Sequence, residues 1–129
     1  MTDPIAICAL SCRYPDAHSP DQFWRNLMHG RRSFRPLPAS RIPLAQYHSR
    51  VAGAADSIEQ VLAAQVTNWH FDRDRFRVPK KTFENTDMTH WLSLSLAAEA
   101  IDTVERHATL AKDRTAVVIA NTLTGEFSR

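Results

Sequence analysis

Six histidines, at 18, 29, 48, 70, 90 and 107, two cysteines and a run of arginines are the side chains of this chain best equipped for chemistry. The histidines are scattered. None falls into the His-Glu-x-x-His spacing that puts two imidazoles and a general base on one helix face, and no paired carboxylates accompany them. Asp87 and His90 stand three apart at an expected helix start, close enough to interact. Two readings fit that pair: an acid–base dyad, or a capping carboxylate beside a surface histidine, and the capping reading is preferred. There is no glycine-rich phosphate loop and no G-x-S-x-G elbow. A nucleophile needs a base and an oxyanion site within reach, and no segment offers that set. We therefore assign no catalytic residue and no metal ligand from the spacing of residue types.

The cysteines give the same answer. Cys8 and Cys12 lie on an expected strand and its exit. At about 3.3 Å per residue they would stand roughly 13 Å apart, too far for a disulfide, which needs Cα atoms within about 7 Å. Two cysteines without a second ligand pair make a poor zinc site. Cys8 is expected to be a small core residue, the commonest fate of a free cysteine. Arg31, Arg32, Arg35, Arg41 and Arg50 could track a nucleic acid, but the net charge of only +2 does not argue for one, and clustered charge is usually solvation unless aromatic platforms or a known fold accompany it. A solvated loop is the expected reading. No apolar run approaches the roughly 18–20 residues of a membrane span. The start Met1-Thr2-Asp3-Pro4 lacks the basic region of a secretory signal, so the expected setting is cytoplasmic.

The elements that would position any site are those of one α/β domain or less. Arg114–Asn121 is a short β-branched run without polar alternation, which reads as a strand buried on both faces of a parallel sheet. Ile5–Leu10 has the same character. Two buried strands joined by helical material imply an α/β layer structure. Between them, Ser19-Pro20-Asp21-Gln22 supplies a helix start, with Ser19 at the N-cap, Pro20 at N1 and Gln22 reaching back from N3. Phe23, Trp24, Leu27 and Met28 form its apolar face, and Gly30 suits the position just past its end. Pro36, Pro38 and Pro43 exclude a long helix from Arg31 to Gln46. The segment from Gly53 to Gln65 admits a short helix capped by Asp56, with Glu59 reaching back, while Ala63–Trp69 admits a strand through Val66; the strand is preferred. Phe71 and Phe76 should pin a charged turn, and Pro79–Asn85 should make one or two helical turns. Thr86 or Asp87 should cap a long helix whose residues Trp91, Leu94, Ala97, Ala98, Ile101 and Val104 form one stripe.

An ordered set of segments resembles the opening of a β-ketoacyl synthase, the condensing domain of polyketide synthases. The set comprises Pro4-Ile5-Ala6-Ile7, Cys12-Arg13-Tyr14-Pro15, Phe23-Trp24-x-x-Leu27 with Gly30, and Pro38-Ala39-x-Arg41. It continues with Phe71-Asp72 and Phe76, Asp87 with Ala97-Ala98-Glu99-Ala100, and Arg114-Thr115-x-Val117-Val118. The tail Asn121–Arg129, with Phe76-x-Val78-Pro79 and Thr86-Asp87, is similar to ketosynthases of iterative enediyne-type synthases and, next, of polyunsaturated fatty acid synthases. Ala9, Ala116 and Ala120 stand where the family commonly has glycine, and Met88-Thr89-His90 replaces its usual Pro-Gln-(His/Gln)-Arg.

The resemblance implies that residues 1–129 are the N-terminal, truncated segment of a single ketosynthase domain with an α/β, thiolase-like αβαβα sandwich, incomplete here. The parent would carry out decarboxylative Claisen condensation of acyl and malonyl units borne on an acyl carrier protein. Phosphopantetheine arrives on that carrier, and no cofactor is bound directly. Family members use one cysteine, in a Cys-Ser-Ser-like turn, and two histidines, all downstream of the matched region; this chain has no such turn. Cys12 matches a non-catalytic cysteine of the family. The segment alone is thus expected to be inactive. The expected partners are the carrier protein, the rest of the synthase and a second ketosynthase in a homodimer, with neither nucleic acid nor membrane. Position after the last strand puts Asn121, Thr122 and Glu126 near the acyl pocket or dimer seam. The alternative is a non-catalytic half-ketosynthase serving as a dimerisation or partner-binding module. On the fragment reading, apolar faces without cover should make the segment poorly soluble or oligomeric when expressed alone.

Overall fold

A computed structural model describes residues 4–49, 51, 53–59 and 61–121. It holds four α-helices, one 3-10 turn and a two-stranded sheet among those residues. The chain divides into two compact units, one formed by Arg13–Asn68, the other by the described residues of Met1–Cys12 and Trp69–Arg129.

The first unit is built on helix α1, Pro20–Met28. Its start follows the sequence: the Ser19 hydroxyl accepts from the Gln22 amide at 3.3 Å, and Pro20 occupies the position whose N–H a helix cannot use. Gln22 reaches back one residue further than a capping box requires, accepting from the His18 amide at 2.6 Å. The far end is a complete Schellman motif. Gly30 takes φ +60 and donates to the Leu27 carbonyl, while Arg31 donates to that of Asn26. Strands β1 (Arg35–Pro36) and β2 (Leu62–Ala63) pair antiparallel, and helix α2 spans Leu44–Tyr47.

Several expectations fail in this unit. The strand through Val66 is absent: β2 stops at Ala63, where its partner β1 runs out of length. The short helix at Asp56 is absent too. Asp56 takes φ +51 instead of capping geometry, and Glu59 accepts from the Gly53 amide at 2.8 Å.

The second unit is built on helix α4, Met88–Glu105. Asp87 caps it, Oδ1 accepting from the Thr89 amide at 2.8 Å and from the Thr89 hydroxyl at 2.7 Å. Helix α3, Lys80–Glu84, supplies the short helical turn ahead of it. Phe71 is the centre of an aromatic cluster, stacked on Phe76 at 5.0 Å and Phe83 at 5.9 Å and tilted on Trp91 at 5.0 Å. Phe71 and Trp91, 9% and 7% exposed, are the buried hydrophobic residues of this unit among those described. Arg75 ties the charged turn of residues 72–78 to α4 through Asp102 at 2.7 Å, and its guanidinium lies over the Phe76 ring. The Ser11 hydroxyl donates to the Leu96 carbonyl, fastening the N-terminal segment to the same helix.

The two runs expected to be buried strands are neither strands nor buried. Ile5 is 99% exposed and Val118 92%, and Ile7, Leu10, Val117 and Ile119 are exposed with them. A strand buried on both faces needs neighbours to pair its backbone and layers to cover it. Neither run has a ladder partner among the described residues. Cys8 shares this fate: it is exposed, not a core residue. Helices and a small sheet in this proportion are in keeping with an incomplete α/β domain.

Candidate functional site

Among the described residues, those that the sequence singles out do not converge on one site. Asn121 is exposed at the end of the irregular segment after the 3-10 turn of Lys112–Arg114; Thr122 and Glu126 lie outside the described residues. Asp87 spends its Oδ1 on the helix start, and His90 is exposed one turn on, its amide donating to the Asp87 main-chain oxygen at 3.1 Å. That geometry is a helix cap. Neither Cys8 nor Cys12 is in a disulfide; the first is exposed and the second half-buried. Among the described residues no three His, Cys, Asp or Glu side chains gather in a way that could hold a metal ion. Nor is any helix long and apolar enough to cross a membrane.

The best-organised polar centre is one that sequence reasoning passed over. Asp16 follows Pro15 in a two-residue turn closed by reciprocal bonds between Tyr14 and Ala17, 2.9 and 3.0 Å. Its φ of +60 is the left-handed value that the third residue of a type II turn requires, with proline before it. One guanidinium nitrogen of Arg35 reaches both carboxylate oxygens, at 2.8 and 2.7 Å, and Arg31 approaches to 3.6 Å. The hydrogen bond from Arg35, then that from Ser33, then the positive charge of both arginines hold the Asp16 carboxyl below its ordinary value. A signal was available: aspartate after proline is a turn dipeptide, and aspartate tolerates the left-handed region. Its arginine partner, 19 residues on, is not marked by any spacing rule.

Chemically this centre is spent on structure. Asp16 accepts from Arg35 and Ser33 and faces Arg31, and no imidazole joins it in the bonds that define it. The Trp91 indole N–H is buried without a hydrogen-bond partner among the described residues, but it sits inside the aromatic cluster, where packing accounts for the ring. What the described surface does offer is apolar area. Besides the two uncovered runs, Trp24, Leu27 and Met28 form an exposed ridge on α1.

Comparison with known proteins gives the family. The family model described as "Beta-ketoacyl synthase, N-terminal domain" matches residues 2–128. Polyketide synthase PksL of Bacillus subtilis is 27% identical over 136 aligned positions, which take in 97% of this chain and 3% of that protein. Non-reducing polyketide synthase trt4 of Aspergillus terreus is 31% identical over 78% of this chain and 4% of its own length. Polyketide synthase 2 of Metarhizium anisopliae is 32% identical over 76% and 5%. The chain thus spans 3–5% of the length of these relatives. The match runs through all the segments that carried the resemblance, and the glycine-to-alanine departures do it no violence: among the described residues Ala9, Ala116 and Ala120 do not take positive φ. The chain belongs to the β-ketoacyl synthase N-terminal domain family.

Proposed function

We propose that the chain is the N-terminal segment, residues 1–129, of one ketosynthase domain in a polyketide synthase, and that it contributes framework and no reacting group. The observation that carries this reading is the family match over residues 2–128, in a chain without the Cys-Ser-Ser-like turn of the family. The complete domain would have the thiolase-like αβαβα sandwich, in which Ile5–Leu10 and Arg114–Asn121 become inner strands. That role gives their exposure a cause, since their cover comes from other segments.

The parent reaction has two halves. An acyl group passes from the phosphopantetheine thiol of a carrier protein to a cysteine thiol of the synthase, one thioester breaking as the other forms. A carrier-bound malonyl unit then loses CO2, and the resulting carbanion attacks the acyl-cysteine carbonyl. A carbon–carbon bond forms and the cysteine leaves as thiolate. Family resemblance puts that cysteine and its two histidines on downstream segments. Asn121, Thr122 and Glu126 would then lie near the acyl pocket or dimer seam. Carrier protein, the remainder of the synthase and a second ketosynthase are the partners, the setting is cytoplasmic, and the enediyne-type or polyunsaturated-fatty-acid subtype fits the tail motifs.

The test is a condensation assay on the parent synthase and on the 129-residue chain, each given acyl and malonyl carrier proteins. The parent should release CO2 and form a β-ketoacyl thioester, and the chain alone should do neither. Turnover by the chain alone, lost on Cys12→Ala, overturns the reading.

A further inference from the structure

Residues 13–37 are tied together by backbone, side-chain and ring contacts that are all local in sequence. Tyr14 and Ala17 exchange both backbone bonds, and Ala17 is fully buried. The Tyr14 ring stacks on Phe23 of α1 at 4.4 Å. Asn26, also on α1, donates to the main-chain oxygen of Asp16 at 2.9 Å, and Ser33 donates to that of Pro15 at 3.3 Å. Arg35 closes the circuit on the Asp16 carboxylate. The helix at the centre is satisfied at both ends by its own neighbours, Ser19 and Gly30. The longest of these ties spans 19 residues, so each closes a short loop at small entropic cost. By contrast, the apolar runs at Ile5–Leu10 and Val117–Ile119 lie open.

We propose that residues 13–37 form a self-ordering latch, in which the Asp16–Arg35 pair locks the Tyr14–Ala17 turn, α1 and the segment after it into one cooperative unit that holds its shape independently of the aromatic cluster and of any covering layer. Local contacts form early and open together, and the ties of this unit to more distant sequence are at its far end, where β1 pairs with β2 and Leu37 donates to the Val61 carbonyl. Asp16 is its positioning residue, since its backbone sets the turn and its side chain gathers the arginines. The consequence is that α1 presents Trp24, Leu27 and Met28 in a fixed arrangement before anything covers them. The inference does not rest on the ketosynthase reading.

Hydrogen exchange on the 129-residue chain tests it, with the amides of Ala17, Phe23, Gly30 and Arg31 as probes, because each donates to a backbone oxygen inside the unit. Arg35→Gln removes the ion pair and leaves the turn residue untouched; it should raise exchange severalfold at all four amides, three of which lie on or beyond α1. Asp16→Asn, which tolerates the left-handed backbone, should do the same. Phe71→Ala, which opens the aromatic cluster, should leave all four unchanged while exchange rises along α4. Faster exchange at the four probes in Phe71→Ala, or an effect of Arg35→Gln confined to residues adjacent to the arginine, overturns the proposal.

Discussion

Replacing Phe71 with alanine should remove most of the stability of the unit that contains α4. The ring is 9% exposed and meets four others, those of Phe76 and Trp91 at 5.0 Å, Phe83 at 5.9 Å and Trp69 at 6.4 Å. Truncating a buried phenylalanine costs about 3–5 kcal/mol, the spread reflecting how well the site collapses. Here collapse is hindered, because the neighbours are rigid flat rings, two of which already pack on each other at a tilt. Trp91, for example, is 5.7 Å from Phe83. The upper part of that range is therefore expected. Small domains have about 5–15 kcal/mol in total, and a unit with so few buried residues belongs at the low end. At roughly 4–8 °C per kcal/mol for a domain of this size, the midpoint should fall by 12 °C or more, on the order of the whole transition. Phe34, an exposed ring, is the control: Phe34→Ala should change stability by less than about 0.5 kcal/mol. Near-UV circular dichroism during urea and thermal melts reads both variants. Equal midpoints for Phe71→Ala and Phe34→Ala would refute the claim that this cluster is the core.

Three further outcomes are expected. Gly30→Ala should cost about 1–2 kcal/mol purely through its backbone, because φ is +60 and an added Cβ meets no atom within 4 Å; Gly30→Asn should cost less, and urea midpoints of the two distinguish the causes. The Asp16 carboxyl is held below its ordinary value, so its contribution is complete above an unfolded pKa of about 3.9 and is lost as pH falls through the lower folded value. Acid titration of exchange at the Ala17 amide should therefore show a limb below that pH which Asp16→Asn lacks. The chain alone should self-associate through Ile5, Ile7, Val117, Val118 and Ile119, and Ile7→Lys with Val118→Lys should reduce this in light scattering. A monodisperse unsubstituted chain with a cooperative melt would contradict the uncovered-strand account.

Local structure was the part of this fold that the sequence made legible. The Ser19 cap, the Gly30 terminus, the Asp87 cap and the extent of α4 all depend on residues within one turn of each other, and all appear as expected. The Phe71–Phe76 pin was legible for the same reason. The strands were not, because a β-branched run states only a preference, and pairing depends on residues elsewhere. Ile5–Leu10 and Arg114–Asn121 lack those partners among the described residues, and Val66 lies beyond the end of a two-residue ladder. Cys8 follows its run into solvent. Asp16 was half legible: Pro15 announces a turn, but nothing in the spacing announces Arg35. The family became visible through ordered motifs that do no chemistry themselves.

If these residues frame a condensing site whose nucleophile is carried elsewhere in the parent, acyl transfer must label a cysteine outside them. Peptide mapping by mass spectrometry of the parent synthase, trapped after acyl transfer from its carrier protein, reads this out. One acyl-thioester adduct is expected, on a cysteine outside residues 1–129. An adduct on Cys8 or Cys12 would contradict it.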